Sequence, residues 1–440
     1  MTHELEIDRQ AWTKRAIGHL NHETEDLSLL ASLVNIPSPT GEERALAEFL
    51  CQKMQSEGLR SELQPIDSTS ANALGRLGDG TGPSLLLFAP LDSAFSGIAA
   101  EELPWVGPHM RPDLLPQAVI EGDRVVGLSA DNPKAHIVAL IGAVRAVAKA
   151  GVPLTGRVQL AFGAGGAPSN RRPHSTRDNI GHGAGCEFLL QQGVRGDFAI
   201  IAKPGYAVAW EEVGLSWFRL RIHGTQAYVG RRHIVVDDNP IVHSAKVIAT
   251  LEKWFREYSE RHTSGLCQPQ GAIGAIEGGW KYKPAFTPAA CDLYVDLRIT
   301  PRCTPMQAWR ELEARLESLR ATGLRIDCDL ILAIPGEATD PENWIIRTCI
   351  ASWEATEGRK HTPLLKTSGQ TEAAILRRHG IPTARFGLPA AMSPDLLSDG
   401  EPRPKHTMGV VNAASIRRYS ECIIRVIIET CTRRLHEVGL

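Results

Sequence analysis

The sequence lacks several features that would each point to a particular class of protein. Its most apolar stretch, residues 137–147, is interrupted by Arg145 and is too short to span a bilayer. The first twenty residues contain several charged side chains and no apolar signal segment. None of the nine cysteines forms a C-x-x-C pair, which is typical of reduced thiols. We therefore expect a cytoplasmic protein that does not interact with a membrane.

An excess of charge of either sign is also missing. The 48 Lys and Arg residues nearly balance the 50 Asp and Glu residues, and the formal net charge is -2. No basic stripe favours nucleic acid as a partner, and no acidic tail is present. A chain of 440 residues in which 43% are hydrophobic is long enough for two ordinary globular domains. We expect a small molecule as the partner rather than nucleic acid.

Strands and helices alternate in the first half of the sequence. Residues 84–89 (SLLLFA) form a continuous apolar run of strand length, as in a strand buried on both faces of a parallel sheet. Residues 135–150 predict a helix, and residues 156–162 and 198–202 predict two further strands. This alternation is typical of an α/β domain with a doubly wound, mainly parallel sheet.

The pattern changes near residue 213. Residues 215–223 alternate as a half-exposed strand, and the elements that follow have the order β-α-β-β-α-β of a ferredoxin-like α+β unit. The α/β pattern then resumes with a helix from Glu342, the strand 383–386 and a C-terminal helix from Ala414. We predict a discontinuous α/β domain of residues 1–212 and 327–440, with residues 213–326 inserted as a lid and dimerisation domain.

Short motifs in this order resemble those of the M20 family of metallopeptidases and amidohydrolases. They cover nearly the whole chain, and their order is more specific than any one of them. They are NALG (72–75), LLLFAPLD (85–92), GLSADNPK (127–134), DFAIIAKP (197–204), DLR (296–298), SGQTEAAIL (368–376), GIP (380–382) and His406. The resemblance implies an α/β catalytic-type domain with an inserted lid, and activity on a C–N bond.

The resemblance also implies a set of zinc ligands, most of which are replaced. M20 enzymes hold two zinc ions with a His, a bridging Asp, a Glu, a further acid and a distant His, and another Glu activates the water. Pro90 stands at the first His, Gly165-Gly166 at the Glu pair, and Lys203 at the strand-end acid. Asp131 matches the bridging Asp and His406 the distant His. Asp92 matches the residue that orients the first His.

A catalytic zinc ion needs about three protein ligands, which a proline, two glycines and a lysine do not supply. We therefore expect no cofactor, with Lys203 paired to Asp131 or Asp92 in place of the metal charge. An alternative is one zinc or manganese ion held by Asp131, His406, His174 and His182. His174, Asp178 and His182 would share a face if the inserted segment 170–183 were helical. The same segment, with its three arginines, is otherwise predicted to be a mobile loop that attracts an anion.

Four residues are candidates for catalysis: Asp92, Asp131, Lys203 and His406. All are expected at the rim of the sheet, where ligands of open α/β sheets bind. Each also has an ordinary structural interpretation. Lys203 would be a solvated lysine, Asp92 and Asp131 would cap helices, and His406 would be a hydrogen-bonded loop residue.

Candidates for substrate binding come from the lid and from the segment before residue 372. Tyr228 stands where many M20 members have a lid His that stabilises an oxyanion, although a surface aromatic is an equal alternative. Arg298 would bind a substrate carboxylate or would pair with Asp296. Ser368, Gly369, Gln370 and Thr371 match a family segment that wraps a substrate carboxylate, and their backbone N–H groups and hydroxyls suit that task.

Three hypotheses about function remain open at this point. The first is an enzyme that acts without the dinuclear zinc site on a small, carboxylate-bearing amino-acid-like or N-acyl substrate bound between the domains. The second is a non-catalytic small-molecule-binding protein, and the third is a hydrolase with a rebuilt single-metal site. In each case we expect a homodimer formed through the lid.

Overall fold

A computed structural model describes residues 2–172, 175, 177–235, 237–389 and 408–440. The chain divides into two compact units. The first unit contains Met1–Trp210, Thr339–Pro363 and Thr371–Leu440, and the second contains Glu211–Ala338 and Leu364–Gln370. The predicted inserted domain, 213–326, lies inside the second unit, which extends further along the chain to Ala338.

The first unit opens with three helices and then builds most of its sheet. Its elements up to Trp210 are α1 (Thr2–Ile17), α2 (Glu23–Val34), α3 (Arg44–Ser56), β1 (Arg60–Pro65), β2 (Ala71–Leu77), β3 (Ser84–Pro90), α4 (Ala99–Val106), β4 (Val119–Glu121), β5 (Arg124–Val126), α5 (His136–Lys149), β6 (Arg157–Gly163), α6 (Ala184–Gln191) and β7 (Phe198–Ile201).

The second unit follows, and the chain then returns to the first. The second unit contains β8 (Glu211–Glu212), β9 (Gly214–His223), β10 (Ala227–Tyr228), α7 (Pro240–His262), β11 (Gly271–Gly278), β12 (Phe286–Thr287), β13 (Ala290–Ile299), α8 (Pro305–Arg320), β14 (Ile326–Ile334) and β15 (Glu337–Ala338). The first unit is completed by α9 (Trp344–Glu357), α10 (Ala373–Arg378), β16 (Thr383–Arg385), β17 (Val410–Asn412) and α11 (Ala413–Cys431).

The main sheet of the first unit has six strands in the order β1-β2-β6-β3-β7-β16. Strands β6, β3, β7 and β16 are parallel, and β2 and β1 join antiparallel at one side. All seven residues of β3 are buried, as expected of a strand covered on both faces. Every residue of α5 from His136 to Val147 is also buried, because α5 packs between the sheet and neighbouring helices. The predicted doubly wound, mainly parallel sheet is confirmed.

The second unit has the predicted ferredoxin-like order. Its antiparallel sheet runs β11-β13-β9-β14 and is covered by α7 and α8. Burial alternates along β9 because one face packs on the helices and the other does not. Helix α8 begins with a capping box in which Thr304 and Gln307 satisfy each other's backbone N–H groups. The two edge strands of this sheet are β11 and β14.

No helix in the described part of the chain is long and apolar enough to cross a membrane. All nine cysteines lie within the described ranges, and none of them forms a disulfide bond.

Candidate functional site

The residues with the strongest chemistry lie at one edge of the six-stranded sheet. Because β3, β6, β7 and β16 are parallel, their carboxyl ends meet at the same edge. Asp92 follows β3, Gly166 follows β6 and Lys203 follows β7. This is the rim where the sequence places the candidate site.

Asp92 is buried and accepts three hydrogen bonds. Its carboxylate receives the Thr40 hydroxyl at 2.8 Å, the Gly166 N–H at 2.7 Å and the Ala167 N–H at 2.8 Å. These donors occupy both carboxylate oxygens, so Asp92 holds the loop after β6 against the end of β3. Its geometry favours a positioning role.

Lys203 forms a buried ion pair with Glu372 rather than with Asp131 or Asp92. Its ammonium lies 3.2 Å from the Glu372 carboxylate, and the two side chains are 12% and 2% exposed. The prediction that Lys203 pairs with Asp131 or Asp92 is therefore wrong. Its partner is Glu372, which stands at the start of α10. Burial raises the pKa of Glu372, while Lys203 opposes that rise. The sequence showed Glu372 at the position of a family Asp but gave it no role.

Glycine at position 166 makes room for Glu372. A Cβ atom at Gly166 would overlap the Glu372 carboxylate and would lie 2.6 Å from Pro90 Cβ and 3.0 Å from the Asp92 carboxylate. A Cβ atom at Gly183 would likewise lie 3.2 Å from the Glu372 Cγ. The glycine loop and the Lys203–Glu372 pair therefore form one packed arrangement.

Glu43 is a buried acid of the same region that sequence reasoning missed. It accepts the Gly41 N–H at 2.7 Å, the Gly165 N–H at 2.9 Å and the Ser70 hydroxyl at 2.6 Å. Burial, and then the charge of Asp92, raise the pKa of Glu43 to about 7. The sequence motif GEE (41–43) indicates only the start of α3, so nothing in it points to a buried carboxylate.

Asp131 lies in a short turn, residues 130–135, that leads into α5. Its carboxylate makes no salt bridge or side-chain hydrogen bond with another residue of the described ranges, and burial raises its pKa to about 7. Its N–H donates to the Met408 carbonyl at 3.0 Å. The backbone of Asp131 is thus fixed by a hydrogen bond, while its partly buried carboxylate remains available to a ligand or a proton.

His136 links the Asp131 turn to the ends of β7 and β16. Its Nδ1 lies 2.9 Å from the Asp131 carbonyl and its Nε2 lies 3.2 Å from the Leu388 N–H. These contacts fit a neutral ring with the proton on Nδ1. Complete burial lowers the pKa of His136 to about 3, and the nearby charges of Arg385 and Lys203 act in the same direction. His136 therefore positions the site and does not exchange protons near neutral pH.

Lys134 is a second buried lysine beside the site. It is 1% exposed, and its ammonium donates to the Ile36 carbonyl at 2.9 Å. Burial lowers the pKa of Lys134 to about 7. This bond ties the Asp131 turn to the end of α2. The sequence places Lys134 within the GLSADNPK motif but does not reveal its burial.

The inserted segment 170–183 is not helical in its described residues, so the predicted shared helical face does not form. Arg172 pairs with Glu42 and Glu101, Arg177 with Asp67, and Arg171 with Asp178. An anion would therefore have to compete with these acids, which weighs against the predicted anion-binding role. His182 Nε2 lies 2.8 Å from the Asn170 side chain, and His174 lies outside the described residues.

The candidates of the second unit form two groups. Arg298 pairs with Asp296 through two bonds of 2.9 and 3.0 Å, and it reaches the Ser368 carbonyl at 3.4 Å. The Ser368 hydroxyl is buried and has no hydrogen-bond partner among the described residues. Gly369 and Gln370 follow in the same segment, while Thr371 belongs to the first unit. Tyr228 is 50% exposed and packs on Phe286 with ring centres 5.3 Å apart.

Comparisons with known proteins bear on the family. Residues 211–323 match the peptidase dimerisation domain of the M20 family. A tripeptidase from Staphylococcus aureus is 14% identical and has a TM-score of 0.68, with 94% of this chain and all of that chain covered. Human carnosine dipeptidase 1 is 15% identical, with a TM-score of 0.66 over 97% and 99% of the two chains. The Bacillus subtilis YXEP protein, described as a dinuclear metal-binding peptidase from the M20 family, is 14% identical, with a TM-score of 0.62 over 93% and 99%.

The resemblance to M20 metallopeptidases and amidohydrolases is thereby confirmed at the level of the dimerisation domain and the fold. The expectation about cofactors, which was none or one zinc or manganese ion, is contradicted. The YXEP protein has this fold and is described as binding two metal ions.

The described residues themselves do not fit a dinuclear site. Pro90, Gly165, Gly166 and Lys203 stand at the matching positions, and Glu372 is already paired with Lys203. Within the described ranges, no group of three or more His, Cys, Asp and Glu side chains could hold a metal ion. His406 and His174 lie outside those ranges.

Proposed function

We propose that the protein binds a small, carboxylate-bearing amino-acid-like or N-acyl substrate at the carboxyl edge of its six-stranded sheet and hydrolyses an amide C–N bond. The observation that carries this proposal is the buried Lys203–Glu372 pair, which stands just after β7 at the carboxyl edge of the sheet. The proposal is also supported by the fold, which resembles those of a tripeptidase and a dipeptidase.

Lys203 supplies a positive charge, and Glu372 uses only part of the hydrogen-bonding capacity of its ammonium group. An ammonium has three donors, and one carboxylate at 3.2 Å leaves donors for a substrate oxygen. In a site with little water, such a donor stabilises the negative oxygen that develops when an amide carbonyl is attacked. Lys203 would equally hold a substrate carboxylate.

Asp131 is our candidate for the proton acceptor, because its carboxylate has no salt bridge or side-chain hydrogen bond within the described ranges. A base works best when its pKa is near the operating pH, and burial brings Asp131 to about 7. In the proposed reaction, water adds to the carbonyl carbon while Asp131 takes one of its protons. The C–N bond then breaks, and the proton passes to the amine that leaves. The products are a carboxylic acid and an amine.

The remaining candidates stay proposals. Asp92 keeps the glycine loop in place, and His406 would be a second proton carrier. In the second unit, the buried Ser368 hydroxyl without a partner supports a ligand contact in the 368–371 segment. Arg298 would contact a ligand through the donors that Asp296 leaves free, and Tyr228 through its hydroxyl.

A non-catalytic binding protein is the second candidate function. It is favoured by the three hydrogen bonds that Asp92 accepts, because they hold its carboxylate in place at the glycine loop. In that case the Lys203–Glu372 pair would hold a ligand carboxylate without any reaction.

Amine release from a panel of N-acyl amino acids and dipeptides tests the two candidates. The panel is run with and without added zinc and manganese. Asp131→Asn should reduce kcat by about a hundredfold or more, in the range of a lost general base. The control Glu260→Gln changes an exposed carboxylate on α7 and should leave kcat unchanged. Calorimetric binding without amine release would favour the binding protein, and the absence of both would contradict the proposal.

We also propose a homodimer through the second unit, since residues 211–323 match a dimerisation domain. Strand β11 is the better edge for pairing. Its residues 274–278 are all exposed, and Glu277 is its only charged residue. Strand β14 instead carries Asp327 and Asp329, paired with His223 and Arg219. An exposed edge with few charges is stabilised when another strand covers it.

A cytoplasmic location remains our proposal. It is supported by nine cysteines, seven of them buried, that form no disulfide bond in the described ranges, because thiols stay reduced in that compartment.

A further inference from the structure

Helices α1, α9 and α11 of the first unit line a cavity of about 700 Å³ that is open to solvent. None of Asp92, Asp131, Lys203 and Glu372 lines this cavity. We call it the three-helix cavity.

Three positively charged side chains line the cavity: Lys14 from α1, Arg347 from α9 and Arg425 from α11. None of them makes a salt bridge or hydrogen bond with another residue in the described part of the chain. The Nε of Arg425 is buried without a hydrogen-bond partner. A buried donor without a partner costs free energy, and a ligand that accepts from it recovers that cost.

The cavity contains one carboxylate, and that carboxylate is already neutralised. Glu429 of α11 pairs with Arg433 at 2.6 Å, one turn along the same helix. It is therefore not a free partner for Lys14, Arg347 or Arg425. Like charges that face one cavity repel one another, so the cavity is electrostatically complementary to an anion.

One wall of the cavity is apolar and rigid. It includes Ile17, Trp344 and Ala351. The Trp344 indole N–H donates to the Thr430 hydroxyl at 3.2 Å, and the Arg433 guanidinium lies 5.3 Å from the centre of its ring. Because these contacts fix the orientation of Trp344, a ligand that packs on the part of its ring lining the cavity would not first have to order it.

We propose that the three-helix cavity is a second ligand site, which binds a small molecule made of an oxyanion and a flat apolar body. The oxyanion, a phosphate or a carboxylate, contacts Arg347, Arg425 and Lys14. The apolar body packs on Trp344. The proposal does not depend on the reaction at the sheet edge.

Isothermal titration calorimetry with four probes tests this site. Phenyl phosphate and phenylacetate each join a ring to an oxyanion, benzyl alcohol has the ring without charge, and inorganic phosphate has the charge without a ring. At low salt, at least one aromatic oxyanion should bind more tightly than both benzyl alcohol and inorganic phosphate. The stronger of the two identifies phosphate or carboxylate as the ligand group. Equal or absent binding of all four probes would overturn the proposal.

Charge variants locate the bound probe. Arg347→Gln changes an exposed side chain, so the fold should persist, and affinity should fall about tenfold or more for the loss of a charged hydrogen bond. Arg425→Gln should act in the same direction, and the melting temperature of each variant verifies folding. Arg76→Gln is the matched control, because Arg76 is an exposed arginine of β2 without a salt bridge. An affinity that falls in Lys203→Gln but not in the two cavity variants would place the probe at the sheet edge and contradict the site.

Discussion

At the scale of single residues, the Lys203–Glu372 pair determines how charge is arranged at the sheet edge. Glu372 is buried, and burial raises its pKa while the charge of Lys203 opposes that rise. The neighbouring ammonium therefore favours the ionised carboxylate at this position. Replacing one of the two residues alone should therefore destabilise the protein more than replacing both together.

Lys203→Met should lower the free energy of unfolding by about 3–5 kcal/mol, because it leaves the Glu372 carboxylate buried without a partner. The double variant Lys203→Met/Glu372→Met should regain most of that loss, since a well-packed apolar pair replaces a buried ion pair at little cost. Urea denaturation at pH 7 measures both. Lys149→Met, an exposed position at the end of α5, is the control. A single variant as stable as the parent would show that the pair contributes nothing.

The raised pKa of Glu43 makes the stability of the folded protein depend on pH. Its pKa is about 7 in the folded protein and 4.5 when unfolded, so the folded state binds the extra proton between these values. Stability from this group is therefore present at low pH and is lost as pH rises through 7. The facing charged group is Asp92, which adds to the effect.

Glu43→Gln should remove that dependence. Relative to the parent, its free energy of unfolding should improve between pH 5 and pH 8 by up to about 3 kcal/mol. Urea denaturation at several pH values measures this difference, with Glu260→Gln as an exposed control. A difference that does not change with pH would mean that Glu43 is ionised throughout.

The sequence predicted single residues unevenly. It placed Lys203 correctly at a strand end, because β7 is an apolar run that stops there. It did not identify Glu372 as the partner, because Glu372 approaches from α10, far along the chain. Glu43 and Lys134 were missed for the same reason: burial of a charged side chain depends on what packs over it, and local sequence does not record that.

At the scale of elements, the loop after β6 is set by its glycines. Gly166 has no space for a side chain, whereas Gly142 in the middle of α5 has none of its neighbours within 4 Å of a Cβ position. A substitution by alanine is therefore expected to have opposite effects on stability at positions 166 and 142, although both glycines are buried.

Gly166→Ala should destabilise the protein by about 1–3 kcal/mol, as overpacking does, and a second change of Glu372→Ala should relieve part of the overlap. Gly142→Ala should instead stabilise it by about 0.5–1 kcal/mol, because alanine is the better helix former. Thermal melts of the three variants measure this. If Gly166→Ala left the melting temperature unchanged, Glu372 would have to move away from the added methyl group at little cost in free energy.

Elements with strong periodicity were predicted well, and irregular ones were not. Strand β3, helix α5 and the β-α-β-β-α-β order were correct because their apolar patterns are long and regular. Strands β1 and β2, helix α1 and the three-stranded sheet of β4, β5 and β17 were not anticipated. Their short or mixed patterns gain stability from tertiary contacts that the sequence does not display. In segment 170–183, glycines and ion pairs outweighed the helical spacing of polar residues.

At the scale of the whole molecule, the proposed homodimer would form through an edge strand of the second unit. Ile276 on β11 is 54% exposed, and Ile331 on β14 is 42% exposed. Both are apolar, but β14 carries two aspartates, Asp327 and Asp329, whereas Glu277 is the only charged residue of β11.

Ile276→Lys should therefore convert a dimer into a monomer, because a lysine on an edge strand opposes pairing. Ile331→Lys makes the same change on the opposite edge and should leave the dimer intact. Light scattering after size exclusion measures the mass, which should be near twice 47.9 kDa for the parent and near 47.9 kDa for Ile276→Lys. A monomeric parent, or a dimer lost only in Ile331→Lys, would contradict pairing through β11.

The contact between Gly166 and Glu372 also has an evolutionary consequence. A larger residue at position 166 would meet the Glu372 carboxylate, so a side chain could be accommodated there only after position 372 had become smaller. That earlier change would leave Lys203 without its acidic partner. A single substitution at any of the three positions thus passes through a less stable intermediate. Selection for folding would therefore oppose separate changes at these positions, and the present combination should persist or change jointly in descendants of this chain.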